Sequence, residues 1–138
     1  MILDASHNPE GAEVLANNLR HLWVETGKKP VVITGALGSS RAQPLLVSIC
    51  EFAKEVHLVV PHQIRACSHE ELEALVPKEF TGLVTRDCVE GLFPGENQCS
   101  VGGVDDIIVV TGSIYLLGEI MARVLPGLGA SEGRLQDF

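Results

Sequence analysis

The chain has 138 residues, one domain's worth, and its 46% hydrophobic and 20% charged composition excludes a disordered polymer. A formal net charge of −8 argues against nucleic acid as a partner, because that affinity rests on Lys and Arg neutralising phosphates, yet it leaves room for a locally positive small-anion site. Cys50, Cys67, Cys88 and Cys99 form no CxxC pair or zinc pattern, and no apolar run approaches the ~18 residues of a membrane span, so reduced thiols in a cytoplasmic, membrane-free protein are expected.

Met1 runs straight into ILDA, as at the start of a domain cut from a longer protein, and Ile2 to Ala5 has the apolar look of a buried strand ending at Ser6. A helix is expected next. Asn8 suits its N-cap and Pro9 its first position. Ala12, Leu15, Leu19 and Leu22 repeat at helical spacing, Trp23 widens that apolar face, and Gly27 offers a C-cap.

Pro30 precedes VVITGAL, a β-branched run predicted as a strand stopping at Gly38. A capping box through Ser40 and Gln43 then predicts a helix to about Ala53, with Leu45, Leu46, Ile49 and Phe52 inward. Val56 to Val60 is a third strand, ended by Pro61. Ser68 and Glu71 form a second capping box, ahead of a short helix burying Leu72, Leu75 and Val76. Gly82 to Thr85 is a weaker strand. Cys88 to Ser100 has no legible period, with Pro94 and Gly95 interrupting any helix. Asp106 to Thr111 is the clearest strand; Gly112 turns it into a helix carrying Tyr115, Leu116, Ile120, Met121 and Val124, and a loop-like tail follows Pro126.

Nearly all-apolar strands alternating with helices predict an α/β fold, a Rossmann-like three-layer sandwich with a mostly parallel sheet. Ligands of such sheets gather at the carboxyl ends of the strands. Three polar segments fall there. The first is Asp4, Ser6, His7 and Asn8: Asp4 can accept from a ribose or hold a metal-bound water, His7 can donate to a phosphate or carboxylate, and Asn8 suits a helix cap. The second, GALGSSRA, lacks both the Walker lysine and GxGxxG, leaving a glycine turn at a helix N-terminus with Arg41 as its cation. The third is TGS, where Ser113 either caps the last helix or faces a carboxylate; without a GxSxG elbow or an assignable triad, a nucleophilic role has little support. His21, His57, His62 and His69 share no spacing and read as surface or packing residues, and no metal site is expected.

LDASHNPEGA, GALGSSRA and VTGSIYLLGE, in this order, together with IRACSHEEL, resemble the C-terminal domain of folylpolyglutamate synthase and dihydrofolate synthase, in the Mur ligase superfamily. The resemblance covers Ile2 to about Val124 and implies a domain over residues 1–125, a tail over 126–138, and a missing N-terminal ATPase domain as intramolecular partner. It implies an ATP-dependent ligase in which a folate or dihydropteroate carboxylate is phosphorylated and the amine of L-glutamate displaces phosphate. ATP and Mg2+ would be held mainly by the absent domain, leaving the isolated chain inactive. By the same resemblance Asp4 and His7 are catalytic and, with Asn8, face the nucleotide, while Ser113, Arg41, Ser40 and Tyr115 bind glutamate. The family's DKD is Ser39, Ser40 and Arg41 here, so Arg41 would stand in for its lysine through a bidentate contact. A free-standing small-molecule binding module and a ligase for another amino acid are the alternative readings.

Overall fold

The computed structural model describes residues 1–4, 9–95, 98–103 and 105–124. Five strands, β1 (Ile2–Leu3), β2 (Val31–Thr34), β3 (Glu55–Leu58), β4 (Leu83–Arg86) and β5 (Ile108–Thr111), form one sheet in the order β1-β5-β2-β3-β4. Every pairing is parallel, with Val32 facing both Val56 and Val109. The helices are α1 (Pro9–Thr26), α2 (Ser39–Phe52), α3 (His69–Leu75), α4 (Val89–Leu92) and α5 (Ile114–Val124). The fold is the expected α/β three-layer sandwich.

Side-chain alternation explains the layers. Steps from β1 through β4 run one way across the sheet and the step to β5 runs back, so right-handed crossovers must place α1–α3 and α4 on opposite faces. Two cores result. Val32, Val56, Leu58 and Val109 pack with Leu15, Leu19, Leu45 and Ile49 on one face. Ile33, Val59 and Val110 pack with Leu92, Phe93, Leu116 and Ile120 on the other. The middle strand β2 is buried at all four positions, which is why it reads as an unbroken apolar run.

Several expectations hold in detail. Gly27 closes α1 at φ 67°, its N–H donating to the Trp23 carbonyl, and Ser68 and Glu71 form the capping box of α3. The Ser68 N–H and hydroxyl of that box, with the Ser39 hydroxyl, hold the Glu71 carboxyl below its ordinary range.

Others need correction. Trp23 does not join the buried face; it is exposed, with the Lys29 ammonium 5.5 Å from its ring centroid. Ser40 and Gln43 form no capping box: Gly38, at φ 84°, is the N-cap, so the helix starts ahead of Ser40. β5 begins at Ile108 rather than Asp106, because Asp106 is engaged sideways, accepting from the Gly103 N–H and pairing with Lys54. The unread segment contains α4, started by Cys88, whose Sγ accepts from the Gly91 N–H. Ala5, Ser6, His7, Asn8 and the tail 126–138 lie outside the described residues.

All four cysteines are free thiols. Burial pushes the Cys50 thiol up to about 11, and burial with the nearby Glu71 charge raises that of Cys67. Cys88 and Cys99 are exposed. Iodoacetamide at neutral pH should therefore label Cys88 and Cys99 first, leaving Cys50 and Cys67 unmodified until the chain unfolds. Peptide mass mapping over a time course checks this order.

Candidate functional site

The carboxyl ends of β5, β2 and β3 approach one another backbone to backbone. A Cβ on Gly112, whose φ is 113°, would fall 2.4 Å from the Gly35 carbonyl oxygen, and one on Gly35 would fall 2.4 Å from that of Val59. The closeness lets three loops share one cleft.

That cleft, of about 460 Å³, is lined by Leu37, Gly38, Ser40 and Arg41 from the β2–α2 turn, Gln63, Ile64 and Arg65 from the β3–α3 loop, and Tyr115 from α5. A second recess of about 190 Å³ is lined by Arg41 and Tyr115 again, with Leu37, Gly112, Ser113 and Ile114. Arg41 and Tyr115 thus stand at the divide between two compartments.

The electrostatics are one-sided. No acidic side chain lines either compartment. Elsewhere Arg86 is tied to Glu70 and Glu73, Lys54 to Asp106, and Arg123 to the Phe93 carbonyl, but neither Arg41 nor Arg65 has an acidic partner among the described residues. At the start of α2 the N–H groups of Arg41 and Ala42 donate to the Gly38 carbonyl. The preceding amides of Ser39 and Ser40 find no carbonyl partner there, so their donors and the helix dipole favour a negative ligand. The chemistry on offer is recognition of a carboxylate or phosphate by guanidinium and amide donors.

Ser113 is buried, and its Oγ accepts from the N–H groups of Tyr115 at 3.1 Å and Leu116 at 3.4 Å. It caps α5, which leaves its own O–H proton free to donate onward. The four residues predicted to hold an amino acid, Ser40, Arg41, Ser113 and Tyr115, therefore lie around two adjoining compartments. Asp4 does not join them: it is buried at the end of β1 and borders a small apolar recess with Ile2, Leu15 and Leu19. His7 and Asn8 lie outside the described residues.

Sequence reasoning did not place Gln63, Ile64 or Arg65 at the cleft, although Ile64 and Arg65 open the IRACSHEEL segment that contributes to the family resemblance. His57 proves a packing residue, its Nδ1 2.9 Å from Asp87 Oδ2 and 2.7 Å from Thr85 Oγ1. His62 is a surface residue that nonetheless ties down the cleft wall, as its N–H donates to Glu119 Oε2 at 2.8 Å. Among the described residues no three His, Cys, Asp or Glu side chains gather as a metal site.

No protein-family model and no curated protein matches the sequence. Solved structures do match the fold. A bifunctional folylpolyglutamate synthase/dihydrofolate synthase from Yersinia pestis c092, complexed with AMPPNP and Mn ion, superposes with a TM-score of 0.65 at 20% identity over 87% of this chain and 28% of that one. Mycobacterium tuberculosis folylpolyglutamate synthase, complexed with ADP and AMPPCP, gives 0.64 at 22% identity over 86% and 28%. E. coli FolC in complex with DHPP and ADP gives 0.58 at 17% identity over 85% and 26%. The chain thus shares the fold of a domain-sized part of these enzymes and spans little more than a quarter of their length.

Proposed function

We propose that this chain is the C-terminal, amino-acid-positioning domain of an ATP-dependent folylpolyglutamate or dihydrofolate synthase. The observation that carries the reading is the unpaired Arg41 guanidinium between two acid-free compartments, with Ser113 and Tyr115 beside it. The likeness in fold to the folylpolyglutamate synthases supports it, and so do the motif segments those residues come from.

In the reaction so proposed, a folate or dihydropteroate carboxylate has been activated as an acyl phosphate. The amine of L-glutamate attacks its carbonyl carbon; the C–N bond forms as the C–O bond to phosphate breaks, and phosphate leaves with the electron pair and takes up the proton that the amine loses. This chain's part is positioning. Arg41 grips the α-carboxylate, the Ser113 O–H and the free amides of Ser39 and Ser40 add donors, and Tyr115 walls the recess so that the amine faces the reacting centre. Asp4, His7 and Asn8 would face the nucleotide, as the family resemblance implies. ATP and Mg2+ would be supplied by a partner domain outside this chain, and the isolated chain would be inactive.

Arg41 in place of the family's lysine favours a second reading, a ligase for another amino acid. One titration addresses both. In a 15N-labelled chain, millimolar L-glutamate should shift the amides of Ser40, Arg41 and Tyr115, and Arg41→Gln should weaken binding about tenfold or more, the worth of a charge-assisted contact. Stronger shifts with L-aspartate or L-lysine would move the assignment to that amino acid. No cleft response to any of them would overturn the proposal.

A further inference from the structure

Arg65 was not among the residues expected at the site, yet its surroundings fit a defined task. Its backbone is pinned at the edge of the cleft: the Arg65 carbonyl accepts from the Gly38 N–H at 3.2 Å, and Ala66 bridges Leu37 in antiparallel fashion. The loop carrying it is strapped from the far side. The His62 N–H donates to Glu119 Oε2 at 2.8 Å, and the His62 ring sits 3.3 Å from the other Glu119 oxygen. The loop is thus fixed at both ends while the Arg65 side chain remains exposed and without an acidic partner among the described residues.

An arginine held on a fixed loop, unpaired in a chain with 18 acidic against 10 basic residues, is a cation kept in reserve for a ligand. Arg65 lines only the larger compartment, Ser113 only the smaller, and Arg41 lines both. We infer that Arg65 and Arg41 form a two-point receptor that selects a short dicarboxylate: one carboxylate is held by Arg41 near Ser113, and the second is taken by Arg65 in the larger compartment. This rests on the proposed function and deepens it, since it supplies the contact that separates glutamate from glutamine. Glu119 is a positioning residue, acting on the ligand only through the loop.

The test compares dianions with monoanions of matched length on the labelled chain: glutarate against butyrate, and L-glutamate against L-glutamine. The wild type should prefer each dianion about tenfold, and Arg65→Gln should erase that preference while weakening binding of the monoanions far less. Glu119→Ala should weaken the preference in the same sense, and Glu119→Gln, whose amide oxygen still accepts from the His62 N–H, should restore it. If the wild type binds glutamate in the cleft but Arg65→Gln keeps the full preference, the two-point receptor is overturned and the proposed function stands. If glutarate is selected through Arg65 but glutamate is not bound, the receptor stands and the ligase reading falls. Binding of neither dianion overturns both.

Discussion

Gly112→Ala should destabilise the fold by about 3 kcal/mol or more, or prevent it from forming, because two costs add at one atom. The first is conformational: φ at this residue is 113°, a region open to glycine and costly for a residue with a Cβ. The second is steric. The new methyl would sit 2.4 Å from the Gly35 carbonyl oxygen and 2.7 Å from Thr34 Oγ1, and the former is main chain in the most buried strand region, which cannot step aside. Gly118→Ala is the control. It lies on the exposed side of α5 with nothing within 4 Å of a Cβ, so it should gain about 0.5–1 kcal/mol from helix propensity. Urea unfolding of the two variants measures both; a Gly112→Ala protein as stable as the wild type would mean that the β5–β2 junction is not tight.

Phe93→Ala is expected to cost about 3–5 kcal/mol, the range for emptying a fully buried aromatic site. Phe93 is 0% exposed and packs among Ile33, Val59, Val110, Leu116 and Ile120. Its carbonyl also accepts from the Arg123 guanidinium at 2.7 Å, joining the end of α4 to α5. Loss of the ring would open a cavity beneath both helices and loosen that link. Val24→Ser, on the 75% exposed Val24, should change stability by less than about 0.5 kcal/mol. A Phe93→Ala midpoint in urea close to that of Val24→Ser would show that α4 contributes little to the core.

The contrast between these two sites also marks what was legible in the sequence. α1, α3 and α5 were readable because cap, period and stop signals agreed within each segment. Residues 88–100 were not, because α4 has only four residues and is held by distant groups: the core around Phe93, Arg123, and Ser100, whose N–H donates to the Leu92 carbonyl. The same division runs through the site. Arg41 and Ser113 follow from the strand-end rule, in segments that open the helices after β2 and β5, and Tyr115 from the family resemblance. Arg65 faces the cleft only because Gly38 and Glu119 fix its loop, contacts between segments far apart in the chain that leave no periodic trace. The apparent capping box at Ser40 misled for a local reason: a glycine at positive φ started the helix before the serine could cap it.

The sheet order has a consequence for how the protein is made. Among the described strands β1, the first, pairs with β5 alone, with Ile2 opposite Val109, and β5 in turn separates it from β2. As a ribosome extends the chain, β2, β3 and β4 can associate with their helices while β1 has no neighbour and one edge of β2 stands open. Only when Ile108–Thr111 emerges can the last-made strand enter the gap and close the sheet. Until then the nascent chain carries an unpaired strand edge, the feature through which a prematurely terminated product would aggregate.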